Sequence, residues 1–444
     1  MSVINNVRTA LDRLQAGATL NLTTQVLTKD ALQRAAALDQ VTPAERGPLH
    51  GLPIVVKANI AVMGTLHDGA SPALRNNTAT SDATVVALLK AAGAVPVALT
   101  NMHELAFGIT SDNAHYGPVR NPKDSTCMAG GSSGGTAAAI GAGAVSAGLA
   151  SDTGGSGRLP AALCGCVGFR PSVGRYPSDG ILTLSQTLDT ISVMAVDTAL
   201  VSRLDAAVTG DDQIPLVHKL VLGVVRDPFW RGISSEMNAL GQAVLDQLAS
   251  AGIVLVEIDE PRIDALVDTA GFPIAVRETA ENWHRFAHEI TGQTLADFAR
   301  QIASSDVRAL YEQMAAGDIP PAEAYRHAMT VARPRLQALL AESFARYGVD
   351  AMIFPTLIRT GMAVHENETV DVDGMTLPLF PAMTRRALAA SVAGLPAISI
   401  PAGTCARGLP FGMELVGPEG SDRRLLSIGL AFERAIRRSE RTGT

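Results

Sequence analysis

GLPIVVKANI, residues Gly51–Ile60, is a short apolar run rich in β-branched side chains. It predicts a strand buried on both faces. DATVVALLKAA (Asp82–Ala92) follows with apolar residues at helical spacing, Ser81 as its expected N-cap and Gly93 as its expected stop. AVPVAL (Ala94–Leu99) then resumes as a strand. Strand, helix and strand in close succession are the pattern of an α/β sheet covered by helices.

Working outward, Val7 to Asp39 reads as two outer helices, interrupted near Gly17 and around Thr23, Thr24 and Thr28. Thr136–Gly143 is expected to be a helix, Ala144–Ala150 a return strand and Ser151–Pro160 a loop. From Asp205 to Tyr347 the character changes: long helical patterns carry Glu, Arg, His and both tryptophans, Trp230 and Trp283, as in a helical cap-like insertion or second lobe. Asp350–Pro355 and Pro396–Pro401 return to apolar strands, and Ser421–Arg438 makes an amphipathic closing helix. The expectation is one domain over 1–444, with a catalytic core at about 45–200 and 350–444 and a variable helical region at about 205–347.

Composition narrows the function classes. With 47% hydrophobic and 18% charged residues over 444 positions, the chain can bury a large core. A net charge of −7 gives no electrostatic footprint for nucleic acid or an anionic membrane surface, so small molecules are the expected partners. The first residues carry Arg8, Asp12 and Arg13 and lack the apolar run of a secretory signal, which points to a cytoplasmic protein. Cys127, Cys164, Cys166 and Cys405 are too few to staple such a chain and read as reduced packing thiols. The 27 uncharged residues between Asp124 and Asp152 could span a bilayer by length. Their run of Gly and Ser would leave costly free amides in lipid, so a buried helix beside a loop is expected.

Lys57 is awkward inside its apolar strand: an unpaired buried ammonium costs several kcal/mol, so it must reach water, find a partner or lose its proton. Taken alone, a strand-end lysine reaching solvent is the simpler reading. Two glycine-serine loops follow, GGSSGGT (Gly130–Thr136) and DTGGSGRLP (Asp152–Pro160), whose backbone amides could converge on an anion. The Walker pattern GxxxxGK[ST] is absent. Gly130–Gly134 and Gly131–Gly135 satisfy the GxSxG elbow of α/β-hydrolase esterases, but a Pro- and Asp-bearing stretch precedes them where an elbow needs a strand. His284 and His288, four apart on an expected helix, lack the Glu of HExxH and read as a solvated face. No metal ligand set is identified.

The combination of a strand lysine, a serine loop and a second serine 24 residues after Ser132 carries a resemblance. Ala129 to Gly180, GPLHGLPIVVKANI, and the C-terminal AGLPAISIPAG and LPFGMELVGPEGSDRRLL resemble the amidase-signature family. NMHELAFGITSDNAHYGPVRNP and GRYPSDG are most similar to its aryl-acetamide branch, the indoleacetamide and mandelamide type. The resemblance implies a mixed central β-sheet with helices on both faces. It also implies a catalytic triad of Lys57 as base, Ser132 as relay and Ser156 as nucleophile. An oxyanion hole is implied at the amides of Thr153, Gly154, Gly155 and Ser156. Asp152 and Arg158 are expected to brace that loop and Ser133 to be structural. His103 and Glu104 lie in the loop that lines the family's acyl pocket. Ala58 departs from the Asp that many members carry after the lysine; Gly157 departs from the bulkier residue after the nucleophile, which would loosen the loop or enlarge the pocket.

The expected activity is hydrolysis of the C–N bond of small aryl or alkyl amides, and of carbamates (urethanes) and esters that meet the same nucleophile, with no cofactor. The amidase subunit of a tRNA-dependent amidotransferase remains an alternative function, and a homo-oligomer remains open.

Overall fold

The structure is a computed structural model that describes residues 2–217, 219–366 and 368–442. Its first half alternates α1 (Val3–Ala16), β1 (Thr23–Val26), α2 (Thr28–Asp39), β2 (Pro53–Lys57), α3 (Thr84–Ala91), β3 (Val95–Thr100), α4 (Gly134–Gly141) and β4 (Ala147–Asp152). Next come α5 (Leu159–Cys164), β5 (Val167–Arg170), β6 (Thr190–Ala195), α6 (Thr198–Thr209), β7 (Val221–Asp227), α7 (Ser235–Ser250) and β8 (Val254–Asp259). A helical run follows: α8 (Arg262–Thr291), α9 (Leu295–Ala299), α10 (Ser305–Ala316), α11 (Ala322–His327) and α12 (Arg333–Tyr347). The chain closes with β9 (Ala351–Pro355), the hairpin β10 (Thr369–Val372) and β11 (Met375–Pro378), α13 (Leu379–Ala393), β12 (Ala397–Thr404), β13 (Pro410–Val416) and α14 (Asp422–Thr442).

Eleven strands form one mixed sheet in the order β1, β3, β2, β4, β6, β5, β12, β13, β9, β7, β8. β2 lies between β3 and β4, parallel to both, and all five of its residues are buried. Ile54 and Val56 enter one core cluster and Val55 the other, so the two faces of the sheet are covered separately. Side chains alternate along a strand, and Lys57 therefore shares the face of Val55. That face is covered by α4, whose Ala137, Ala138 and Ala139 pack in the same cluster. Small residues let α4 lie close: a Cβ on Gly135 would sit 2.3 Å from the Asn101 carbonyl oxygen, and one on Gly148 would sit 2.7 Å from Val55 Cγ2. The uncharged stretch before Asp152 is thus a buried helix and strand. Among the described residues no helix is long and apolar enough to cross a membrane.

Several boundaries differ from the sequence reading. Helix α3 starts at Thr84, and its start is held by Asp179, which accepts from Thr84 N (3.0 Å) and Oγ1 (2.9 Å), not by Ser81. A distant carboxylate replaces the local cap. α4 lies nearer the N-terminus than expected, at Gly134–Gly141, whereas β4 lies further along, at Ala147–Asp152, where its pairing with β6 sets Asp152 opposite Thr190. β1 interrupts the two outer helices and pairs with β3. The stretch expected to be helical from Asp205 opens with β7, α7 and β8, a parallel unit added to β9 at the sheet edge. Only Arg262 to Tyr347 is the continuous helical run.

A buried ionic cluster joins the first sheet segment to the last. Arg158 donates from Nε to Asp152 Oδ2 (2.9 Å), from Nη2 to Asp152 Oδ1 (3.0 Å) and Ser391 Oγ (2.9 Å), and from Nη1 to Glu414 and the Ala387 carbonyl. Arg170 donates to Asp152 Oδ1 (3.1 Å) and to the Leu188 carbonyl (2.7 Å). Burial would push the Asp152 carboxyl up, but the Arg158 and Arg170 guanidiniums outweigh it and hold the group well below the usual carboxylate range. Burial pushes Glu414 up and Arg170 down, the latter to about 10. Arg158→Met would leave two buried carboxylates short of a cation. The expected loss is about 3–5 kcal/mol of stability, read as a lower urea midpoint. Arg285→Met, which removes the exposed pair with Glu289, should change stability by less than about 1 kcal/mol.

Candidate active site

Lys57 ends β2 fully buried, without a path to water. Its Nζ donates to Ser132 Oγ at 2.7 Å and to Ser151 Oγ at 2.8 Å. Burial lowers its pKa from 10.5 to about 7, against the opposing pull of Asp152 and Asp189. The solvent-reaching alternative for this lysine is therefore excluded by position. Ser132 sits just ahead of α4, on the sheet face that the alternation of β2 assigns to Lys57, and the peptide bond between Gly131 and Ser132 is cis. Ser133 Oγ donates to the Ser151 carbonyl (3.2 Å), which ties the loop to β4. No strand leads into Ser132, and its partner is a lysine, so the GxSxG elbow is not formed.

Ser156 lies in the loop between β4 and α5. Asp152, at the end of β4, folds this loop back on itself by accepting from Gly155 N (2.9 Å), Gly157 N (3.0 Å) and Arg158. Gly155 has a φ of 116°, and a Cβ there would sit 2.7 Å from Ala387 Cβ, so glycine suits both the turn and the packing. The four expected oxyanion amides differ in their surroundings. Gly155 N–H is engaged by Asp152, and Gly155 does not line the cavity, whereas Thr153, Gly154 and Ser156 do. Gly157 does not enlarge the pocket either: it faces β6, where a Cβ would sit 2.2 Å from Ser192 Oγ.

Beside Ser156 is a cavity of about 120 Å³, walled by Ala106, Phe107 and Ile109 from the loop after β3, Leu184 and Leu188 from the loop before β6, and residues of α8 and α13. Among the described residues no charged side chain lines it. It shares Phe107, Phe272, Phe380 and Leu388 with an outer basin of about 800 Å³, where His103, Asp268, Asp306 and Arg385 appear. His103 bonds Asp306 Oδ2 through Nε2 (3.1 Å) and Thr110 Oγ1 through Nδ1 (3.2 Å). Glu104 is buried and accepts from Ser71 Oγ (2.6 Å), Ala303 N (3.0 Å) and Ser304 N (2.7 Å), so both residues hold the helical region onto the core. Leu105 and Ala106 between this clamp and the cavity adopt left-handed φ of 52° and 64°. His284 and His288 are exposed on α8.

The sequence reading passed over four groups. Ser151 touches Lys57; Asn59 donates to Ser151 Oγ (3.2 Å); Glu414 closes the ionic cluster. Asp189 accepts from Thr153 Oγ1 (2.7 Å), and burial raises its pKa to about 6. A polar residue inside a buried strand was the available signal for Ser151 and Glu414; nothing local marks Asn59 or Asp189.

Comparison with known proteins agrees with this geometry. The family model described as Amidase matches residues 5–426. An indoleacetamide hydrolase of Agrobacterium vitis is 37% identical over 98% of this chain and 94% of its own length. A mandelamide hydrolase of Pseudomonas putida is 37% identical over 96% of this chain and 87% of its own length. Among solved structures, one described as an amidase superposes with a TM-score of 0.88 at 30% identity, covering 98% of this chain and 96% of that one. The native peptide amidase of Stenotrophomonas maltophilia follows the same fold with a TM-score of 0.82 at 25% identity, covering 98% and 94%. A buried lysine bonded to a loop serine, a second serine at a cavity, and likeness along nearly the whole length lead to one assignment: this chain belongs to the amidase family and is an amidohydrolase.

Proposed function

We propose that this enzyme hydrolyses small uncharged amides, aryl or alkyl, through an acyl-enzyme on Ser156. Neutral Lys57 draws a proton through Ser132 from Ser156 as the Ser156 oxygen attacks the carbonyl carbon. The C–N bond then breaks while the relay returns that proton to the departing amine. Water, activated by the same relay, cleaves the acyl ester, releases the acid and restores Ser156. The observation that carries this reading is the 2.7 Å contact between Lys57 Nζ and Ser132 Oγ in a site that brings the lysine to about pH 7. The oxyanion is assigned to the amides of Thr153, Gly154 and Ser156, and Gly155 N–H joins them only by giving up Asp152.

The cavity supports an uncharged acyl group. Glutamine would bring an ammonium and a carboxylate to walls without a charged side chain, and each costs several kcal/mol to desolvate there. This favours an independent amidase over an amidotransferase subunit. Relatives named for indoleacetamide and mandelamide agree with an aryl-acetamide substrate. Carbamates and esters offer Ser156 the same carbonyl and belong to the proposed range. Buried free cysteines accord with a reducing cytoplasm.

Ser156→Ala should lower kcat/KM by roughly 10⁴-fold or more and abolish labelling by a fluorophosphonate probe. Full activity in that variant would sink the nucleophile assignment. The active lysine is the deprotonated form, whose fraction rises as pH climbs through about 7. kcat/KM should therefore rise about tenfold per pH unit below that midpoint and level off above it. An acid limb centred near the ordinary 10.5 would rule Lys57 out as the base in this form. In a substrate screen of the isolated chain, aryl-acetamides should exceed glutamine by about 100-fold or more in kcat/KM; a preference for glutamine would overturn the assignment.

A further inference from the structure

Lys57 has a second hydroxyl neighbour to which the relay assigns no task. Ser151 Oγ lies 2.8 Å from Lys57 Nζ and 3.2 Å from Asn59 Nδ2, and all three residues are buried. With the amide in that orientation, both neighbours donate to the Ser151 oxygen. Among the described residues its own proton then faces no acceptor except the lysine amine, which would occupy the lone pair that the base needs. Asn59 Oδ1 is meanwhile buried without a hydrogen-bond partner among the described residues. A half-turn of the amide exchanges two atoms of nearly equal size and brings Oδ1 to the Ser151 hydroxyl, where it can accept that proton.

We propose that Asn59 and Ser151 are positioning residues for the base: Asn59 Oδ1 accepts the Ser151 proton, Ser151 Oγ accepts a Lys57 N–H, and the remaining lysine lone pair is thereby directed at Ser132. A neutral amine has two N–H groups and one lone pair, and it turns freely about its last carbon–nitrogen bond unless an acceptor fixes it. Ser151 supplies that acceptor from β4. Asn59, two residues beyond Lys57, sets the direction of the Ser151 proton. The inference rests on Lys57 acting as the base. The charged groups that act on Lys57 are Asp152, at the end of β4, and Asp189, ahead of β6.

The test is a set of pH–rate profiles with an uncharged aryl-acetamide, on variants whose thermal midpoints confirm folding. Ser151→Ala should lower the plateau kcat about 10- to 100-fold, with KM within about threefold. Its acid limb should move to lower pH, because the ammonium form loses an acceptor. Asn59→Asp, which keeps an acceptor for the Ser151 proton but adds a carboxylate, should move the acid limb up by about one unit or more. Asn59→Leu, similar in size and without polar atoms, should lower kcat as Ser151→Ala does. In Ser151→Ala and Asn59→Leu, which add no charge, a purely structural role would leave the midpoints of the profiles in place. Wild-type kcat in Ser151→Ala, or an unmoved limb in Asn59→Asp, overturns the proposal. Failure of the lysine reading itself shows separately, as a Lys57→Met variant that keeps its activity.

Discussion

The contact between Lys57 Nζ and Ser132 Oγ is the constraint on which the rest of the site depends. An amine can act as a base near neutral pH only if something disfavours its charged form, and at Lys57 that is burial. β3 and β4 flank the lysine strand on both edges, while α4 closes its face with alanine and glycine. The same burial would make the amine useless without carboxylates nearby to moderate the shift. Asp152 and Asp189 provide that opposing field, and the balance leaves the lysine at about 7. Sheet order and the pKa of Lys57 are therefore one physical fact seen at two scales.

Asp152 serves two tasks that a single buried carboxylate can combine. Its oxygens fold the Ser156 loop by taking the amides of Gly155 and Gly157, and the same oxygens are neutralised by Arg158 and Arg170. Through Arg158 the loop is stapled to β13 and α13, elements more than two hundred residues away in sequence. Ser156 consequently sits on a loop tied to both halves of the sheet. The cavity wall is assembled differently: α8 and α13 bring Phe272, Val276, Phe380 and Leu388 against the core loops, while Glu104 and His103 tie the start of α10 to the loop after β3. The Ser156 loop and the apolar wall beside it are thus built from different elements.

Much of this was legible in the chain. A β-branched run around Lys57, two glycine-serine loops and the spacing from Ser132 to Ser156 are local signals, and the structure brings the lysine and the first serine into contact. The strand–helix–strand pattern read from Gly51 to Leu99 became β2, α3 and β3 because its apolar periodicity matched what the sheet buries. β7 and β8 escaped notice because they lie inside a stretch dominated by helical patterns. Strand β8 at the sheet edge also exposes several residues, so no fully apolar run announces it. The cap of α3 was misplaced for a related reason: Asp179 reaches Thr84 across 95 residues, and no local spacing encodes that distance.

What the sequence by itself determined was the kind of chemistry: a lysine committed to an apolar strand, serines in loops whose glycines allow close backbone approach, and an interior too apolar to tolerate unpaired charge. What only the tertiary structure decided was which groups meet that lysine and what the cavity will accept. Ser151, Asn59, Asp189 and Glu414 acquire their partners from contacts between strands and loops distant in the chain, and Gly155 N–H donates to Asp152. Local periodicity reports which face of an element is buried. It carries no record of the partner across the interface, because that choice is made by the packing of the whole sheet.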